Sequence, residues 1–180
     1  MVLGLSYRRI MGQLNFGTTG TITASTTLSL GVVPCFSARA GGSSPFQTDG
    51  MSGDYTPIPF TNVDVNRGGC YSTGDGKFTC TLPGVYKFDV SLISGGTNHW
   101  FRGAIKYQSG GSGTPATIAK SQTDYGGNSS LDFTHCGFSI IYQCAVGDKV
   151  WVVLETGQGG TESVYTNENG WYSQWNGMFV

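Results

Sequence analysis

Charge is scarce in this chain. Only 12% of its 180 residues are charged, about half the usual share, and ten Lys and Arg against eleven Asp and Glu leave a net charge of −1. Such a balance offers no basic field for nucleic acid and no attraction to an anionic membrane. Long apolar runs are missing as well. After Arg8 and Arg9 the stretch IMGQLNF is interrupted by Gln13 and Asn15, so the apolar core of a secretory leader is absent. The uncharged segment TITASTTLSLGVV is too rich in Thr and Ser to span a bilayer. These features predict a chain made and kept in the cytosol, unless a leader has been trimmed away. No sustained 3.6-residue periodicity occurs, which argues against helices. The five cysteines (35, 70, 80, 136, 144) form no C-x-x-C pair and no Cys/His ligand cluster, and at least one must stay unpaired.

Glycine is abundant, with 29 residues, and aromatics reach 13% and are scattered throughout. Disordered chains lack such aromatics, so the composition describes a folded, turn-rich β-protein. Its length suits one domain with a modest extension and a core that needs no staples. In TITASTTLSL, Ile22, Ala24, Leu28 and Leu30 share one parity, the mark of a half-buried strand. Residues 40–57, rich in Gly, Ser and Pro, read as a surface loop. In GVYKFDVSLI, Tyr86, Phe88, Val90 and Leu92 alternate with Lys87, Asp89 and Ser91, giving one dry and one wet face.

KVWVVLE at 149–155 differs, because Val150, Val152 and Leu154 oppose Trp151 and Val153 and both faces are apolar. A strand of a two-layer sandwich has one core-facing side, so the second needs a cover. That cover is either a neighbouring subunit or a lid formed by a loop or the N-terminal segment. In the last strand Trp171, Trp175 and Phe179 share a face opposite Met178 and Val180. Cys136 and Cys144 belong to one strand, roughly 27 Å apart at about 3.3 Å per residue, too far to bridge. Cys70 and Cys80 flank a predicted turn and either bridge or remain buried free thiols.

Residues 60–88 carry Phe60, Asn66, Tyr71, Phe78, Gly84, Tyr86 and Phe88 at spacings that resemble the signature of the C1q domain, a member of the C1q/tumour-necrosis-factor-like jelly rolls. The pattern's final aromatic is replaced by Val90. FSAR at 36–39, GDKVWV at 147–152 and WNGMFV at 175–180 resemble further strands of that family, in order. The likeness covers about residues 34–180, leaves 1–33 as an N-terminal Thr-rich extension that docks or adds a strand, and includes no Gly-X-Y stalk. It implies an all-β, ten-stranded, two-sheet jelly-roll sandwich assembled as a compact homotrimer. Val150, Trp151, Val152, Trp175 and Phe179 are then the candidates for the trimer interface. From the residues themselves, Tyr71, Phe78, Tyr86 and Phe88 read as sandwich filling. Gly84 reads as relief of backbone strain in a turn with Pro83.

Chemistry is hard to find. His99 and His135 are the only histidines, and no G-x-S-x-G elbow accompanies them. His135 shares parity with Leu131 and Phe133, which predicts a core or interface position. GQGGTE at 157–162 lacks the phosphate-loop lysine, and the aspartates show no EF-hand spacing. No catalytic, metal or cofactor residue is therefore assigned. His99, Trp100, Tyr125 and Trp171 lie in or beside polar, Gly-rich loops suited to adaptable contacts and are the ligand-loop candidates. Asn128-Ser129-Ser130 fits a glycosylation sequon, of consequence only if the chain is secreted.

Two functions fit a non-enzymatic trimer. The first, preferred on the missing leader and the odd cysteine count, is a virion module: a fibre tip or capsid decoration, as in a phage, docked to a larger particle through residues 1–33. The second is a secreted recognition protein that binds glycans or microbial surfaces.

Overall fold

A computed structural model describes residues 32–41, 46–48, 56–94, 100–124, 134–156, 162–164 and 173–180. The chain divides into two units, 1–31 and 32–180. The Thr-rich strand expected at 21–30 and the role of 1–33 as a whole lie largely outside the described residues, as do His99, Tyr125, Asn128 and Trp171.

Twelve strands are described: β1 (Cys35–Arg39), β2 (Phe46–Thr48), β3 (Asn62–Arg67), β4 (Tyr71–Ser72), β5 (Lys77–Thr79), β6 (Gly84–Ser94), β7 (Trp100–Gln108), β8 (Ala116–Asp124), β9 (Thr134–Cys144), β10 (Lys149–Thr156), β11 (Glu162–Val164) and β12 (Gln174–Phe179). The only helical segment among the described residues is a single 3₁₀ turn at Ser109–Gly111. One sheet runs β2-β11-β6-β12-β1-β3, with β9 also paired to β6, and the other runs β4-β5-β10-β7-β8. Every described pairing is antiparallel. The ten-stranded expectation holds for β1, β3–β10 and β12. The addition is β2 with β11, two three-residue strands paired to one another, with β2 inside the segment 40–57 read as a loop. Their shortness explains why alternation did not reveal them.

The core lies between the sheets. Phe36, Phe60, Phe78, Tyr86, Phe88 and Trp175 are all buried, and their rings interlock edge-on and offset. Strand β6 alternates as expected, burying Tyr86, Phe88, Val90 and Leu92. On β9 the inward parity is Cys136, Phe138, Ile140, Tyr142 and Cys144. Where β9 meets β8, side chains join the sheets: the Thr123 hydroxyl donates to the His135 carbonyl at 2.9 Å, and the Cys136 thiol to the Ser121 carbonyl at 3.3 Å.

The two dry faces of β10 are real, but one protomer covers both. Trp151 and Val153 are each 1% exposed in the isolated chain, and Val150 and Val152 are 0% exposed. The Lys77 ammonium lies 4.0 Å over the Trp151 ring, a cation–π contact from the neighbouring strand. Trp175 is 0% exposed, and Phe179 packs edge-on against Tyr86 with ring centroids 5.3 Å apart. Val150, Trp151, Val152 and Trp175 thus have no surface left for a neighbour, and Phe179 keeps only part of its own. The interface assignment of Val150, Trp151, Val152 and Trp175 is corrected to core, whereas half-buried Phe179 stays a candidate. Two-sided apolarity reports burial, and it does not say which chain provides the cover.

Candidate functional site

The signature residues build the scaffold rather than a ligand site. Between β3 and β4 the chain reverses through Gly68 and Gly69, both at positive φ (74° and 58°), a conformation that glycine takes at little cost. Asn66 closes this reversal: its side-chain amide donates to the Tyr71 carbonyl at 2.8 Å and its oxygen accepts the Tyr71 N–H at 3.1 Å. The Tyr71 hydroxyl donates to the Phe60 carbonyl at 2.9 Å, and the Tyr86 hydroxyl to the Leu82 carbonyl at 2.6 Å. Each buried phenol is therefore satisfied. Burial raises both tyrosines well above their ordinary pKa, and they stay neutral donors.

Gly84 opens β6 at φ 158°, a backbone conformation that residues with a side chain rarely adopt, and an added Cβ would also run into the Phe179 ring. Gly177 in β12 is pinned in the same way between Phe36 and Phe88.

Asp148, the acid of GDKVWV and without calcium spacing, organises one end of the sandwich. It is 2% exposed. Its carboxylate accepts the Ala145 N–H at 2.8 Å, the Gly110 N–H at 2.9 Å and the Tyr107 hydroxyl at 2.9 Å. Burial pushes this carboxyl up, but the bonds from Gly110, Ala145, Tyr107 and Ser109 outweigh it and hold the group below the ordinary carboxylate range. The available signal was the Gly-Asp pair before an apolar strand, in which Gly147 takes φ 88° in the turn.

All five cysteines are free thiols, with 70, 80, 136 and 144 buried and 35 partly so. Burial, the leading cause, lifts Cys70 to about 11 and Cys144 to about 12, so neither is a ready nucleophile. The alternative of a Cys70–Cys80 bridge is not what the structure contains.

His135 is exposed, contrary to a core position. Its parity is that of Gly137, Ser139 and Ile141, which point outward from the sheet. Its Nε2 and the Ser91 Oγ share a hydrogen bond at 2.9 Å, and its ring lies over Gly137, where a Cβ would come within 2.9 Å of Cε1. Among the described residues the ring has no carboxylate partner, so the pair lacks the third member of a hydrolytic triad. No three His, Cys, Asp or Glu among the described residues converge as a metal site. No described helix is long and apolar enough to cross a membrane. Of the ligand-loop candidates, only Trp100 is described: it opens β7, where its backbone pairs with Asp124.

The outer face of the larger sheet keeps an apolar end. Cys35, Met178, Lys87 and Ile141 form one cross-strand row over β1, β12, β6 and β9, and Val180 lies beside Val85. Ile141 is 65%, Val180 58% and Met178 45% exposed. Toward the other end the face becomes polar, through Asn176, Asp89 and Ser139 to Gln174, Ser91 and Gly137.

Comparison with known proteins agrees with this geometry. The globular domain of zebrafish complement 1qA superposes with a TM-score of 0.60 at 22% identity, over 82% of this chain and 97% of that one. The Eiger TNF of S. frugiperda gives 0.62 at 10% identity, over 83% and 93%. Both likenesses are of fold. In sequence, the hibernation-associated plasma protein HP-25 of Tamias sibiricus is 31% identical over 109 residues, which are 61% of this chain and 44% of that protein. The collagen alpha-1(X) chain of Mus musculus is 30% identical over 112 residues, 62% of this chain and 15% of that one. The matches thus span less than half of either relative. The C1q domain model matches residues 43–180, and β1, although it precedes the match, pairs with β12 in the same sheet. The chain belongs to the C1q domain family.

Proposed function

We propose that the chain is a non-enzymatic, secreted recognition module that binds glycans or microbial surfaces through its loops and works as a homotrimer. The observation that carries this reading is the C1q match over residues 43–180, joined to a plasma protein among the sequence relatives. This replaces the virion reading as the preferred one, since a plasma protein and a complement 1qA globular domain are among the matches and the kinship points outside the cell.

The trimer has its own support. An apolar sheet end with Ile141, Met178 and Val180 exposed is the kind of patch that marks a subunit contact. Three copies would multiply weak single-site binding into useful avidity. The test is sedimentation of the purified full chain at pH 8, followed by binding to an array of immobilised neutral and sulfated glycans. A trimer that retains defined glycans supports the reading. A stable monomer sinks the trimer, and a trimer that binds no glycan removes carbohydrate as the ligand.

A further inference from the structure

We draw no further inference here: the strongest candidate, the apolar end of the outer face of the larger sheet at Ile141, Met178 and Val180, belongs to the subunit contact already proposed, and nothing among the described residues shows what covers it.

Discussion

Replacing Asp148 by Ala tests whether one buried carboxylate holds an end of the sandwich. The substitution strands the Ala145 and Gly110 amides, which meet Asp148 at 2.8 and 2.9 Å, and also the Tyr107 hydroxyl. The half-buried tyrosine can turn to water, whereas the two amides keep their geometry and lose a charged acceptor. Hydrogen bonds to charged groups contribute about 1.5–3 kcal/mol each, so the expected loss is about 3–5 kcal/mol. Asp148→Asn retains one oxygen and should lose about half as much. Urea unfolding at fixed protomer concentration measures both, with unchanged slopes as the sign that only stability moved. The pH dependence gives a second check. The folded carboxyl lies below its ordinary range, so its contribution is complete above about pH 4 and is lost as pH falls through the lower folded value. The gap between wild type and Asp148→Asn should therefore close in acid. A loss below about 1 kcal/mol for Asp148→Ala would show that these bonds do not organise the turn.

Two further outcomes are expected. Gly177→Ala drives a Cβ to 3.0 Å from both Phe36 Cζ and Phe88 Cδ1 and should cost about 1–3 kcal/mol by overpacking; equal stability would mean the rings move aside freely. Thiol titration without reductant should find five reactive cysteines in the unfolded chain and, in the native one, prompt reaction only at Cys35. Three thiols on unfolding would instead reveal a Cys70–Cys80 bridge.

Much of the fold was legible because period-two alternation and the spacing of Phe60, Tyr71, Phe78 and Tyr86 both record one buried face. What alternation cannot record is the identity of the covering chain, hence the misplacement of Trp151, buried within its own protomer beneath Lys77. His135 misled for a related reason. Its apparent parity partners, Leu131 and Phe133, precede the start of β9 at Thr134, and within the strand the dry parity is the other one. For Asp148 the Gly-Asp pair marks the strand opening, but its bonds reach Gly110 and Tyr107, about forty residues away, which the local pattern does not record. The loops that would carry recognition have no period to read.

The bonds made by the signature share a property with consequences for how such proteins diversify. Asn66 engages the main chain of Tyr71, Tyr71 that of Phe60, and Tyr86 that of Leu82, while Asp148 engages the main chain of Ala145 and Gly110. A main-chain partner survives almost any replacement of the residue that bears it. The framework is thus insulated from drift in the segments it anchors, so neighbouring positions can vary while the anchors stay fixed. New binding surfaces can be tried on such a frame without dismantling it.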